Sequence, residues 1–348
     1  MFLRQLISGT TEPSQVEFHG FLDRVMQGDA AKQEVVAFLA GLSAKPLSAA
    51  SIFNFVSYVH HISPPKLLPG SEGTVNIVGT GGGITTFNIS TAAAFVASAA
   101  GAKVLKSGST AYSSKCGSLD VLRALEVPMP EDEAILANMV RELGIGFIPG
   151  SHYTVLLRRM AAMVLPLAFR DVAGFVNTVG PLLCPYQVSA QLIGVSRFEH
   201  LDVFGDAVTR LMCPKTLLVQ ADIGMDEFCS IGTNHCRLID GGVQSFTLSA
   251  EHLGFAGGTA TNLVGGDATE NTAIFLEILM GRRKGVARDT VVLNSGALLF
   301  VAGITPSIEM GVQRSADAID EGEALGQLER VIDWRRKVLG CQASLSAA

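Results

Sequence analysis

The chain has 348 residues, of which 48% are hydrophobic and 17% charged, with a formal net charge of −6. That is enough apolar surface for two domains with a substantial core, and too apolar a balance for a disordered chain. The absence of a basic stripe argues against nucleic acid as a partner, and the longest uncharged apolar stretches, such as Ala92–Ala102, are too short to cross a bilayer. The start, MFLRQLISGTTEPS, lacks the apolar core of a secretory leader, and the six cysteines form no CxxC pair. Reduced thiols in a cytoplasmic protein are therefore the expectation, with no zinc site.

In chain order, residues 1–65 show helical spacing and no strand signal. PSQVEFHGFLDRVMQGD, AKQEVVAFLAGLSAK and SAASIFNFVSYVHHI each place apolar residues on one helical face. His60 and His61 read as helix surface. SPPKLLPGSEG is a linker by its prolines and glycines. The pattern then changes to short β-branched runs, TVNIVGT, AKVLKSG, IGFIPG and TLLVQAD, separated by helical sequence. Such alternation predicts a mostly parallel sheet covered by helices. HCRLIDGGVQSFTLS predicts an antiparallel hairpin turning at Asp240-Gly241-Gly242, and from Asn271 onward the chain reads as helical again.

Three clusters carry candidate chemistry. In IVGTGGGITTFNIST the glycines follow a strand and precede a helix. Backbone N–H groups there can approach an anion without a Cβ in the way, and the helix start adds donors and a positive dipole end. The stretch suits a phosphate or pyrophosphate, with Asn88, Ser90 and Thr91 as side-chain donors or metal ligands; the alternative is a plain tight turn. It is neither a Walker loop nor GxGxxG. The second cluster, KSGSTAYSSKCGSLD, brings Lys106, Lys115 and Ser118, and by itself also reads as an ordinary serine-rich loop. The third is GMDEF, where Asp226 and Glu227 are adjacent carboxylates past a strand. Beside a polyphosphate they suit Mg²⁺; alone they also read as a solvated acidic loop.

Five blocks, GTGGG…TFNIST, KSG…SSKCGSLDVL, NTVGPLLCP, GMDEF and GGDATEN, stand in an order and spacing that resemble the anthranilate phosphoribosyltransferase family over nearly the whole chain. The pyrimidine nucleoside phosphorylases, a more distant relation, fit the blocks less well. The resemblance implies an α/β fold: a small all-helical domain plus a large domain with a mostly parallel central sheet flanked by helices. The boundaries expected are 1–67 for the helical domain, with a returning segment near 165–185, and 72–348 for the α/β domain. It further implies Mg²⁺-dependent transfer of a phosphoribosyl group from phosphoribosyl pyrophosphate, with release of pyrophosphate, as in tryptophan biosynthesis. Substrates would lie between the domains, in a homodimer built through the helical domain.

Carried over residue by residue, Gly79, Thr80, Gly81, Gly82, Asn88, Ser90 and Thr91 would hold the donor's pyrophosphate, joined by Lys106 and Ser118. Ser90, Asp226 and Glu227 would hold metal, and Val78 to Thr80 would lie beside both substrates. No residue is expected to act as a covalent nucleophile. His152, Arg170 and Ala173 would lie on the acceptor side, where His152 reads more readily as a structural histidine than as a proton acceptor. The chain also departs from the family. The first loop lacks the aspartate of GTGGDG, and Lys106-Ser107-Gly108-Ser109-Thr110 replaces KHGNR. Ala173 stands where the family's arginine meets the anthranilate carboxylate, with Arg170 one helical turn away. These departures leave anthranilate open as the acceptor but favour another small aromatic or heterocyclic amine. The rival readings are a nucleoside phosphorylase and a catalytically silent paralogue that binds a phosphorylated ligand or a protein partner.

Overall fold

The computed structural model describes residues 2–8, 12–108 and 117–345, with side chains to 338. Two units emerge. One comprises 1–66, 152–187 and 199–213; the other comprises 67–151, 188–198 and 214–348.

The first unit is all helical. Its helix Gln15–Gln27 opens with a capping box, in which Ser14 accepts from the Glu17 N–H and Glu17 accepts from the Ser14 N–H, and ends at Gly28 in the left-handed region. Phe18, Phe21 and Phe38 pack edge-on and tilted at ring separations of 4.7–5.3 Å, joining this helix to Lys32–Ser43. The helix Ala49–Ile62 adds Phe55, which meets Phe175 edge-on at 5.6 Å. The unit takes in two pieces that the sequence reading placed in the α/β domain: residues 152–164, which carry the helix Val155–Met163, and the helix Glu199–Arg210. The latter packs on Ala49–Ile62, with the Arg210 guanidinium 5.4 Å above the Phe53 ring. His60 is not on the surface as its helical position suggested. It is half-buried and shares a 3.1 Å hydrogen bond with the Leu182 carbonyl, and burial lowers its pKa. His61 is exposed.

The second unit is built on a seven-stranded sheet: β1 (Thr74–Gly79), β2 (Lys103–Lys106), β3 (Ile145–Phe147), β4 (Ala190–Gly194), β5 (Lys215–Ala221), β6 (Thr233–Ile239) and β7 (Val243–Ser249). Its order is β3-β2-β1-β4-β5-β6-β7. The first five strands run parallel, and the β6–β7 hairpin is antiparallel as its turn sequence predicts. The sequence reading missed β4. Its AQLIG run has little β-branched character, yet every residue is buried, and Gln191 is accommodated by donating to the Thr216 hydroxyl at 3.0 Å. Successive connections run outward from β1 through β2 to β3, then restart on the other side at β4. The carboxyl ends of β1 and β4 therefore form a topological switch point, where open α/β sheets leave a crevice for ligands.

The alanine-rich helix Ile89–Ala99 is buried on nearly every side, against the helices Val286–Val301 and Glu323–Leu345. Among the described residues no helix is long and apolar enough to cross a membrane. Cys184, Cys213, Cys229 and Cys236 are free thiols, and burial raises the pKa of each; Cys116 and Cys341 lie outside the described side chains.

The helices Val286–Val301 and Ile308–Asp320 cross glycine on glycine. A Cβ on Gly311 would fall on the Gly296 carbonyl, and one on Gly296 would press on the Val312 backbone. Gly311→Ala should therefore destabilise the protein by about 1–3 kcal/mol, the usual cost of overpacking. Gly205 lies in a helix with nothing near its missing Cβ, so Gly205→Ala should stabilise by about 0.5–1 kcal/mol. Denaturant melts of both variants check the contrast; equal midpoints would show that the crossing tolerates a methyl group.

Candidate functional site

β1 ends at Gly79 and β4 at Gly194, paired side by side in the sheet. The segment after β5 crosses over both. A Cβ on Gly79 would strike the Asp226 carboxylate, and one on Gly194 would overlap the Asp226 carbonyl. A Cβ on Gly83 would sit 2.7 Å from the Gly224 carbonyl. The glycines at these positions thus let the acidic segment lie directly on the strand ends. Gly81 and Gly82 take φ of 71° and 80°, the left-handed region that side chains disfavour, so the loop folds back over the segment.

The two carboxylates are held by backbone donors. Asp226 Oδ2 accepts the Gly81 N–H at 2.6 Å, and Glu227 Oε1 accepts the Ser90 N–H at 2.9 Å. The acidic pair therefore bonds to the glycine loop and to the first turn of the helix Ile89–Ala99. This is not the solvated acidic loop of the alternative reading. Burial pushes the Glu227 carboxyl up to about 8, with the Asp226 charge adding to the effect, and burial also raises Asp226. Behind them, two buried asparagines clamp the chain. Asn294 accepts from the Phe228 N–H at 3.1 Å and donates to the Phe228 carbonyl at 2.7 Å. Asn234 brackets Cys229 in the same way, at 2.7 Å and 2.9 Å. The sequence reading named neither residue; an asparagine inside the apolar stretch TVVLNSGALLF was the available signal, because buried amides are kept only where they bond.

Lys106 ends β2 and is 3% exposed. Its ammonium donates to the Ile77 carbonyl at 2.8 Å, Ser90 Oγ at 3.2 Å and the Ser107 carbonyl at 3.4 Å. Those bonds occupy its three protons, so here it braces the strand ends rather than reaching outward. Burial lowers its pKa to about 8, opposed by the charge of Glu227. Asn76 fixes the next residue through bonds to the Ser107 hydroxyl and N–H at 2.8 Å and 3.0 Å. Ser118 begins the helix Ser118–Ala124, with its hydroxyl against Gly108, where a Cβ would stand 2.6 Å away. Lys115, Ser109 and Thr110 lie outside the described residues.

Two expected donors face inward instead. Thr91 is fully buried, its N–H goes to the Asn88 carbonyl at 3.2 Å, and its hydroxyl has no partner, because its position turns it toward the core face of the helix. Thr80 is 4% exposed and gives its N–H to the Gly194 carbonyl and its hydroxyl to the Gly81 carbonyl. Gly79, Gly81, Gly82, Asn88, Ser90, Lys106, Asp226 and Glu227 all belong to the α/β unit and converge at the switch point.

The donor set suits a magnesium ion. Among the described residues no group of three His, Cys, Asp or Glu side chains forms a protein-only cage. Mg²⁺ commonly takes one or two carboxylates and completes its shell with water and substrate phosphates. A half-buried pair of adjacent acids at a switch point fits the protein share of such a shell.

His152, Arg170 and Ala173 lie in the helical unit. His152 Nδ1 and the Tyr186 hydroxyl share a 2.7 Å hydrogen bond, with the rings edge-on at 5.8 Å. Ala173 joins the short helices Phe169–Val172 and Gly174–Val179, is fully buried, and accepts both the N–H and the side-chain amide of Asn177. Arg170 is exposed, with its Nε 3.7 Å from Asp171.

Residues 71–325 match the family described as the glycosyl transferase family, a/b domain. An anthranilate phosphoribosyltransferase of Rubrobacter xylanophilus is 35% identical over 341 residues, covering 97% of this chain and 98% of the relative. The crystal structure of the Thermus thermophilus anthranilate phosphoribosyltransferase superposes with a TM-score of 0.81 at 30% identity, covering 96% of this chain and 99% of that one. The Saccharomyces cerevisiae enzyme in complex with PRPP (phosphoribosyl pyrophosphate) and Mg shares the fold, with a TM-score of 0.82 at 24% identity and coverage of 95% and 96%.

A carboxyl whose folded pKa is raised contributes stability that is full below its unfolded value and lost as pH climbs to the folded one. For Glu227 that window runs from 4.5 to about 8. In chelator, Glu227→Gln should therefore melt above the wild type at pH 8, with the gap closing toward pH 5. Added Mg²⁺ should stabilise the wild type more than the variant. A gap that does not change with pH would show that the carboxyl is not held at this value.

Proposed function

The chain belongs to the anthranilate phosphoribosyltransferase family of glycosyl transferases, and from that premise we propose that it transfers the phosphoribosyl group of phosphoribosyl pyrophosphate to the amino group of a small aromatic acid, anthranilate in the first instance. The observation that carries the reading is the joint setting of the glycine loop, the first turn of Ile89–Ala99 and the Asp226–Glu227 pair at the switch point. The related yeast enzyme has been solved with PRPP and Mg, which supports the same ligands here.

In this reading the acceptor nitrogen attacks the anomeric carbon, the bond to pyrophosphate breaks with its electrons leaving on oxygen, and the amine gives up a proton. Backbone N–H groups of the glycine loop and the amide of Asn88 bind the pyrophosphate and hold the reacting carbon in place. Asp226 and Glu227, with Ser90, would hold Mg²⁺, which when bound supplies positive charge to the departing oxygens. Ser118 contacts the phosphates from the second loop. Lys106 acts through its field, since its protons are spent on Ile77, Ser90 and Ser107. No residue needs to act as a covalent nucleophile. Exposed apolar side chains of the helical unit, such as Ile7, Leu165 and Leu167, would form the face for a homodimer.

A second reading keeps the donor and changes the acceptor. An arginine fork holds a carboxylate by paired charged bonds that no other side chain reproduces. Ala173 has none to offer, and Arg170 is exposed beside Asp171. Relatives such as those of Rubrobacter xylanophilus and Clostridium beijerinckii carry the anthranilate name and lend this alternative no support.

Two measurements test these readings. Phosphoribosyl pyrophosphate with Mg²⁺ should raise the melting temperature beyond either alone, as a ligand selective for the native state does; no added shift at saturation would favour a silent paralogue. Pyrophosphate release should then be followed with anthranilate, other aminobenzoates and uncharged aromatic amines. Efficient turnover of anthranilate settles for the first reading, and turnover confined to the uncharged amines for the second.

A further inference from the structure

We infer that Asn271 is a positioning residue for the donor, fixing which end of the Asn88 carboxamide faces the pyrophosphate. The inference rests on the glycine loop being the donor site.

A carboxamide is nearly symmetric in shape, but one end is a hydrogen-bond donor and the other only an acceptor. Facing a pyrophosphate, the NH₂ end attracts and the oxygen repels. Asn88 precedes the helix Ile89–Ala99 but does not cap it with its side chain, so the local backbone gives the amide no preferred direction. The direction comes from the segment Gly265–Asn271. Asn271 is 2% exposed, and its Oδ1 accepts the Gly266 N–H at 2.7 Å. A backbone N–H can only donate, so the oxygen of Asn271 must lie on that side. Its Nδ2 then lies on the other side and donates to Asn88 Oδ1 at 2.9 Å. Asn88 consequently accepts with its oxygen, and its own NH₂ makes no hydrogen bond among the described residues while the residue stays half-buried. A backbone donor has thus been relayed through two amides to a free donor at the glycine loop.

The surroundings are built for this relay. Asp267 caps the helix Ala268–Leu279 by accepting the N–H groups of Thr269 and Glu270, and Glu270 returns a bond to the Asp267 N–H, which fixes the turn carrying Asn271. Gly265 allows the close approach, since a Cβ there would stand 2.7 Å from both Asn271 Oδ1 and the Phe87 nitrogen. Phe87 is in turn tied to the Leu263 carbonyl at 3.0 Å. These contacts give a physical role to the glycines, the acids and the asparagine of GGDATEN.

The test is a double-mutant cycle on Asn271 and Asn88, read as the Michaelis constant for phosphoribosyl pyrophosphate, the turnover number and the melting temperature. In Asn271→Asp the carboxylate still accepts from Gly266 but has no proton for Asn88, so the Asn88 amide must turn its NH₂ inward and its oxygen outward. The donor Michaelis constant should rise about tenfold or more, the scale of one hydrogen bond to a charged group, with turnover at saturating donor little changed. Asn271→Ala, which buries no new charge, should raise it less, and covers the case in which the aspartate variant does not fold. In the Asn88→Ala background neither change should raise the constant further. An effect of the same size in that background, or folded Asn271 variants with unaltered donor affinity, overturns the inference. A wild type that binds no phosphoribosyl pyrophosphate with Mg²⁺ overturns it too, but by removing the donor site itself, and the two failures are told apart by the wild-type measurement.

Discussion

Two carboxylates set side by side in a half-buried position repel one another and lose hydration, and the α/β unit is organised around Asp226 and Glu227 staying there. Gly79 and Gly194 give the pair room on the strand ends, Gly81 and Ser90 supply one backbone N–H each, and Asn234 and Asn294 hold the following residues from behind. Lys106 adds the one buried positive charge described beside them, from beneath Ser90. Burial raises the pKa of both carboxyls, against the hydrogen bonds that lower it.

The same contacts explain the density of glycine. Only some of these glycines serve a turn; others are places where one piece of backbone lies on another. Gly79, Gly194 and Gly265 are of the second kind, and each is closed off by a named neighbour, Asp226 or the Phe87 backbone. A loop held this closely to its carboxylates presents few free N–H groups. Binding of an anion must therefore draw on the donors left over, which gives weight to side-chain amides such as that of Asn88.

The helical unit follows a simpler logic of aromatic packing and capped helices, with His152 taken up by Tyr186 and His60 by the Leu182 carbonyl. Ala173, fully buried and bonded to Asn177, is part of that packing.

The alternation of strand and helix, the β6–β7 hairpin and the glycine-rich turn before a helix were all legible in the sequence, since each depends on local periodicity or on residues that only a turn tolerates. The pairing of Asp226 with Glu227 and the matching of blocks to a family were legible as well. Tertiary structure alone decided the rest. β4 lacks a local strand signature and exists because β1 and β5 hold it on both sides. Thr91 and Thr80 have the right chemistry for a phosphate, but the helix and strand turn them inward. Gly194, Asn294 and Asn271 matter through partners far away along the chain, and a contact between distant segments leaves no period in a sequence for a reader to find.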